Sequence, residues 1–285
     1  VFVRFANSKN LILREYAMTI IVRGGGDLAS GVILRLHRAG IKVVVTELAK
    51  PLVVRRAVSF AQAVYDGRVQ VEEATGILVK NAEEAQTEMD RKNVPVCIDP
   101  EGAICAQLHS DVIVDARMRK IIPDDLRLSD APLVIGLGPG FRAGVDCHAV
   151  IETIRGPYLG RVIWQGQAIP DTGMPETVGQ HQADRVLRAP TDGVLKGVAH
   201  LGDHLQEGAV IAEVNDVPIR APFEGILRGL VETGLPVKKG MKIGDVDPRL
   251  EKDVWRLVSD KALAVAGGVM EAILSREDLR GHLWD

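Results

Sequence analysis

The feature that most constrains the fold of this chain is an internal repeat. Arg188-Ala-Pro-Thr-Asp-Gly-Val-Leu-Lys-Gly197 returns as Arg220-Ala-Pro-Phe-Glu-Gly-Ile-Leu-Arg-Gly229. Leu201-Gly-Asp-His-Leu-Gln-Glu-Gly208 then answers Thr233-Gly-Leu-Pro-Val-Lys-Lys-Gly240 at the same offset of 32 residues. One supersecondary unit is therefore used twice. Two copies are too few for a solenoid, so the halves should close on each other. Each half reads as Ala-Pro, a turn glycine, a short apolar strand, a second glycine turn and a Val/Ile strand.

The repeat resembles the barrel-sandwich hybrid of biotinyl and lipoyl domains. Those domains carry their cofactor on a lysine at the hairpin between the halves. Here that connection is Ala212-Glu-Val-Asn-Asp-Val-Pro-Ile-Arg-Ala-Pro222. Asn215-Asp216 suits a tight turn, and no lysine lies there. Lys196, Lys238 and Lys239 fall inside the repeat units instead. The expectation is a structural or docking role with no biotin or lipoate.

The first half of the chain has a different rhythm. Thr19-Ile-Ile-Val22 reads as a buried strand, Arg23-Gly-Gly-Gly-Asp-Leu-Ala-Ser-Gly31 as a glycine loop entering a helix, and Ile41–Thr46 as the next strand. Further strands are expected at 94–98, 111–115 and 132–135, with helices at 53–64 and 82–92. Such alternation implies a parallel sheet covered on both faces. Segments 147–153 and 159–165 look like strands leading to the β-rich part. After Asp247-Pro248 the apolar spacing becomes helical. Gly267-Gly268 inside that helix costs about 1 kcal/mol per glycine relative to alanine, so close approach to another backbone is the expected compensation.

Charge and cysteine content narrow the class. A formal charge of −3 argues against a general nucleic-acid binder. Cys97, Cys105 and Cys147 are an odd number without zinc-like spacing, which suits a reducing cytoplasm. No apolar run is long enough to span a membrane. Val1–Ala17 lacks a clean apolar core and a small-residue cleavage site. With Met18 directly before the first strand, it reads as a disordered upstream extension.

Two glycine loops carry the binding chemistry. Gly24-x-Gly26-x-x-Ala29 has the Gly/Ala form of the dinucleotide fingerprint, between a strand and a helix. Glycines let the backbone approach a phosphate, and free amides at the helix start point at it. Glu47 ends the second strand, where an acid takes ribose hydroxyls. Arg23, Gly25 and Ser30 complete the candidate loop. Asp27 opposes a phosphate unless a cation or Arg23 intervenes, and the alternative is a loop that only turns tightly. The second loop, Gly136-Leu-Gly138-Pro-Gly140-Phe, also follows a strand, with Arg142 next to it and Arg117 after another strand. Gly-Pro-Gly is strong turn chemistry by itself, so anion site and plain turn both stand. Arg119 reads as solvated, and Arg55-Arg56 admits either reading. His200-x-x-x-His204 with Asp203 is placed around a turn rather than on one helix face, so no metal is expected. Cys147-His148 suggests a nucleophile, but a cysteine in an apolar strand is more often inert packing.

From Met18 onward the sequence resembles the YqeB family, accessory proteins of the selenium-dependent molybdenum hydroxylase system. The stretches that carry the likeness are Arg23–Gly31, Thr46–Phe60, Val114–Met118, Gly136–Gly144, His148–Thr153 and the repeat. The resemblance implies a role in maturing or supporting a molybdoenzyme, with a hydroxylase apoenzyme or another maturation protein as partner. It assigns no catalytic residue. A more distant likeness is to maturation factors that bind molybdenum cofactor and use a Rossmann-like domain.

The expectation is thus an α/β protein in five parts. These are an extension over 1–17, a Rossmann-like domain over 18–146 and connecting strands over 147–186. A barrel-sandwich hybrid follows over 187–247, then C-terminal helices over 248–285. Its ligand would be a nucleotide or a molybdopterin-dinucleotide type cofactor. The alternatives are an NAD(P)-dependent oxidoreductase and a ligand-free assembly scaffold. A homo-oligomer is compatible with each.

Overall fold

The computed structural model describes residues 18–118, 125–170 and 184–281. The expected extension over 1–17 and the residues Arg119 and Lys120 lie outside them. β1 (Thr19–Arg23) leads through the first glycine loop into α1 (Asp27–Arg38) and on to β2 (Lys42–Glu47). Then come α2 (Ala63–Asp66), β3 (Arg68–Val71), β4 (Ala74–Val79), α3 (Ala82–Asp90) and β5 (Val94–Ile98). α4 (Ile104–Gln107), β6 (Val112–Asp115), β7 (Leu133–Leu137), β8 (Arg142–Ala143), β9 (Ala149–Ile151), β10 (Val162–Ile163) and β11 (Gly166–Gln167) complete this half.

Nine of these strands form one sheet in the order β10-β9-β7-β6-β1-β2-β5-β4-β3. All neighbours are parallel except β10 and β3, which pair antiparallel at the two edges. β8 and β11 make a separate small ribbon. Alternation along β1 sorts its side chains between two cores, as period-two geometry requires. Ile20 and Val22 face the apolar cluster that holds α1 and the C-terminal helices. Ile21 joins the cluster on the other face, with Ala85 and Met89 of α3. The fold is a mixed α/β architecture built on a large parallel sheet, with β-rich sheets and a C-terminal helix beside it.

Two differences from the sequence reading have local causes. The helix expected over 53–64 is instead two 3₁₀ turns, Arg56–Val58 and Phe60–Gln62, followed by α2. The Phe60 amide donates to Ser30 Oγ and the Ala61 amide to the Gly25 carbonyl, so neither serves a helical ladder. The β3–β4 hairpin was not foreseen. Its strands are short, and its turn runs through charged Glu72 at φ 49° rather than through glycine.

The repeat folds into eight strands: β12 (Val186–Arg188), β13 (Gly193–Gly197), β14 (His204–Leu205), β15 (Val210–Val214), β16 (Val217–Arg220), β17 (Gly225–Leu230), β18 (Pro236–Val237) and β19 (Lys242–Asp247). They form two four-stranded sheets, β12-β19-β17-β14 and β16-β15-β13-β18. Each sheet takes two strands from each copy. β14 of the first copy pairs with β17 of the second, and β18 of the second pairs with β13 of the first. The halves therefore close by reciprocal exchange around one apolar core that includes Leu195, Ile211, Leu227 and Ile243. Asn215 and Asp216, at φ 49° and 61°, turn the β15–β16 hairpin, as both central residues of a type I′ turn must have positive φ.

After the repeat come α5 (Asp260–Leu274) and α6 (Glu277–Arg280). Ser259 caps α5, its Oγ accepting the Ala262 amide at 3.1 Å. α5 packs on α1, where a side chain at Gly31 would stand 2.6 Å from the Ala262 backbone. No helix among the described residues is long and apolar enough to cross a membrane.

Candidate functional site

The parallel strands β1, β2, β5, β6 and β7 all end at one edge of the sheet. In open α/β sheets ligands bind outside such carboxyl ends. A cavity of about 450 Å³ opens there. Its floor is Gly24, Gly26 and Asp27, its polar wall Thr46, Glu47, Asp99 and Arg117, and its apolar wall Leu28, Leu48, Pro51, Leu52, Val53, Pro100, Ala116 and Met118. That size suits a small-molecule site.

The loop glycines divide by what surrounds them. Gly24 has φ 94°, and a side chain there would touch the Arg117 backbone at 3.3 Å. A Cβ on Gly25 would stand 2.7 Å from the Ala61 amide nitrogen. Both glycines are explained by protein packing. Gly26 is different. Its φ and ψ of −71° and −173° suit any residue, and nothing lies within 4 Å of its Cβ position. It borders the cavity at the N-terminus of α1, where the first-turn amides have no intrahelical acceptor.

Two further loop residues are structural. Ser30 is fully buried, and its Oγ donates to the Gly25 carbonyl at 3.1 Å while receiving the Phe60 amide at 3.0 Å. Ala29 packs into the core.

Glu47 ends β2 in the cavity wall. Its Oε2 accepts the Gly25 amide at 2.7 Å and its Oε1 the Leu48 amide at 2.7 Å. Burial pushes its carboxyl above the ordinary range, against those two amides and the Arg117 charge, which pull it down. Asp27 is neutralised by Arg55, whose Nη1 reaches both carboxylate oxygens at 3.1 and 3.2 Å. Arg55 is buried and also donates to the Leu257 carbonyl at 2.8 Å. The cation that Asp27 requires is therefore Arg55, not Arg23.

Arg23, Arg117 and Arg142 do not converge on one anion site. Arg23 is buried and donates to the Asp125 carboxylate and carbonyl and to the Pro100 carbonyl. Arg117 borders the cavity but holds Asp115 and Asp125. Arg142 is exposed and pairs with Asp146 at 3.1 Å. The two glycine loops share a sheet edge, but the second does not line the cavity. Its Gly136 makes room for the Phe141 ring, 2.4 Å from a hypothetical Cβ. Gly138 faces Thr153 and the Met118 methyl, and Gly140 takes φ 109° in the turn. The plain-turn reading accounts for these three glycines.

Sequence reasoning left Arg55 between an anion contact and a solvated position and did not single out Asp125, because their partners Asp27 and Arg23 lie 28 and 102 residues away. The other candidates resolve as structure. Cys147 is fully buried, and burial pushes its thiol up to about 12. His148 Nδ1 accepts the Val134 amide at 2.9 Å. His204 pairs with Glu224, and no group of three potential metal ligands occurs among the described residues.

Fold and site together define a mixed α/β protein with a ligand-sized cavity at the carboxyl edge of a parallel sheet. No family model matches the chain. It is 47% identical over 257 residues, 90% of its length, to a protein of Escherichia coli (strain K12) named "Uncharacterized protein YqeB". That similarity supports the YqeB-family resemblance. The chain covers 47% of this curated relative, about half its length. Among solved structures, an aspartoacylase family protein from Mesorhizobium loti has 12% identity and a TM-score of 0.27, covering 83% of this chain and 86% of that one. A succinylglutamate desuccinylase from Silicibacter sp. TM1040 has 14% identity and a TM-score of 0.24, covering 81% and 84%. At these scores the likeness extends to neither fold nor activity.

Proposed function

We propose that this chain is an accessory or maturation protein for a selenium-dependent molybdenum hydroxylase. It binds a nucleotide or a molybdopterin-dinucleotide type cofactor in the cavity between Gly26 and Glu47. The observation that carries the binding site is Gly26: nothing in the fold requires a glycine there, yet it borders the cavity at a helix N-terminus. A phosphate would sit against the amides of Gly26, Asp27 and Leu28, favoured by the helix dipole. Arg55 offsets the Asp27 charge that would otherwise repel it. On this reading the sheet domain is Rossmann-like, and the repeat is a barrel-sandwich hybrid that docks the hydroxylase apoenzyme or another maturation protein.

Gly26→Val tests the site, because it places a branched side chain where the phosphate must approach. Calorimetry with nucleotides and molybdopterin compounds should show binding by the wild type and its loss in the folded variant. Undiminished binding would remove the ligand from this loop. Native mass spectrometry of gently purified protein separates the main readings: a pterin supports maturation, whereas a nicotinamide supports an NAD(P)-dependent oxidoreductase. Glu47 at the end of β2 is the observation that favours that second reading.

A further inference from the structure

We infer that the repeat controls the cavity: its seating on segment 51–62 holds the cavity wall and sets how tightly the site binds. This rests on the reading of the cavity as a ligand site and adds what regulates it. One end of the segment belongs to the cavity, because Pro51, Leu52 and Val53 line its apolar wall. The next three residues reach the C-terminal half. Val54 packs against the repeat core, and a Cβ on Gly229 would stand 2.7 Å from its Cγ1 and 2.9 Å from its carbonyl oxygen. Arg55 reaches back to Asp27 on the cavity floor and forward to the Leu257 carbonyl, beyond the repeat. Arg56 donates to the Leu230 carbonyl at 2.7 Å and to Glu232 at 2.6 Å. Gln62 adds a second donor to Glu232 at 2.9 Å. Beside it the Ala61 amide donates to the Gly25 carbonyl at 2.9 Å, so the segment also supports the first glycine loop.

A displacement of the repeat therefore reaches the cavity. Val54 follows Val53 directly in the chain, so the wall and its anchor move together. Moving them shifts the apolar wall, draws Arg55 from Asp27 and takes support from the Gly25 loop. Coupling between sites travels through contiguous packed and hydrogen-bonded groups of this kind. The closed junction is also not fully satisfied. Arg55 Nε, Gln62 Oε1 and the Nε of Arg228, next to Gly229 in β17, are buried and make no hydrogen bond. Each disfavours closure, because a buried polar atom without a partner forgoes the bonds that water would supply. Apart from Val54, the named ties are ion pairs and hydrogen bonds, and a polar junction permits relative motion of the parts it joins.

Gly229→Ala drives a methyl against Val54, and Glu232→Ala releases Arg56 and Gln62, while neither residue lines the cavity. Asn215→Ala is the control. It removes a bond to the Asp192 carbonyl at the β15–β16 turn, in the other sheet of the repeat. Hydrogen exchange on the full chain, read by mass spectrometry, should show lost protection over residues 24–30 and 46–53 in the first two variants and not in the control. Circular dichroism verifies that each variant is folded. Calorimetry with ATP as probe should show an affinity about five-fold or more below wild type in the same two variants. Lost protection confined to residues 225–232, or an equal loss in Asn215→Ala, would overturn the inference, as would an ATP affinity unchanged in both junction variants. If the wild type binds no ATP at millimolar concentration, the nucleotide reading falls and the exchange measurement alone decides the inference.

Discussion

Gly268 of α5 lies against the carbonyl of Gly160, so close that a Cβ at 268 would stand 2.1 Å from the oxygen. Its neighbour Gly267 has nothing within 4 Å of its Cβ position. The two adjacent helix glycines should therefore respond to alanine with opposite signs. Gly267→Ala should stabilise by about 0.5–1 kcal/mol through helix propensity. Gly268→Ala should destabilise by about 1–3 kcal/mol, because helix and loop must separate to admit the methyl. Urea denaturation of the two variants measures both signs. A stabilised Gly268→Ala would mean that this contact is not held in solution.

A second contrast concerns the acidic residues of β19. Asp245 is buried and forms a bidentate pair with buried Arg185. Asp247 is held by Arg249, at 2.9 Å on one oxygen and 2.6 Å on the other. Arg228 lies between the two aspartates but comes no closer than 3.7 Å to either, and its buried Nε makes no hydrogen bond. Burial, then the nearby Arg55, lowers the Arg228 pKa. Arg185→Met should cost about 3–5 kcal/mol, because Asp245 loses its hydrogen-bonded partner. Arg228→Met should cost less than about 1 kcal/mol or stabilise, because both aspartates keep theirs. Chemical denaturation distinguishes the two. Equal losses would mean that Arg228 carries as much of the pairing as Arg185.

These arginines show where legibility in the sequence ended. β1, α1 and β2 could be read because strand alternation, loop glycines and helical spacing all lie within about thirty residues. The repeat could be read because identity at fixed offset needs no partner. Its reciprocal strand exchange could not, since either copy might have paired internally. Glu47 was found from its place at a strand end. The Arg55–Asp27 and Arg23–Asp125 pairings were not, because an ion pair across 28 or 102 residues leaves no local pattern. One signal was available: Asp245 and Asp247 lie among the apolar residues of β19, and buried acids in such a strand need cations. The loop glycines misled for a different reason. Glycine allows ligand approach and tight protein packing alike, and only the packing around each one separates Gly26 from Gly24, Gly25, Gly136 and Gly138.

Cys147 gives a chemical test of the packing around β9. Burial raises its thiol to about 12, so thiolate is scarce near neutrality and the sulfur is shielded. Native protein at about pH 8 should leave Cys147 unmodified by iodoacetamide, and denaturant should expose it. Peptide mass mapping gives the readout. Rapid native modification would revive the nucleophile reading of Cys147-His148.

Glu47 gives the last test, through pH. Burial raises its folded-state pKa, the Gly25 and Leu48 amides and Arg117 offsetting only part of the shift. In the unfolded chain the carboxyl titrates at about 4.3. Between the unfolded and folded values the native state binds more protons than the unfolded one, so this group's contribution falls as pH rises. The contribution is fully present below the unfolded pKa and is lost as pH rises through the raised folded pKa. Glu47→Gln cannot titrate and lacks that loss. Its stability relative to wild type should therefore improve as pH rises from about 4 to about 7. Urea unfolding of both proteins across that range checks the slope. Ligand binding should run the other way, strengthening as the wild-type carboxylate ionises and becoming independent of pH over this range in Glu47→Gln. A relative stability that declines with rising pH would mean that the two amides outweigh burial, and that Glu47 is held ionised below the usual carboxylate range.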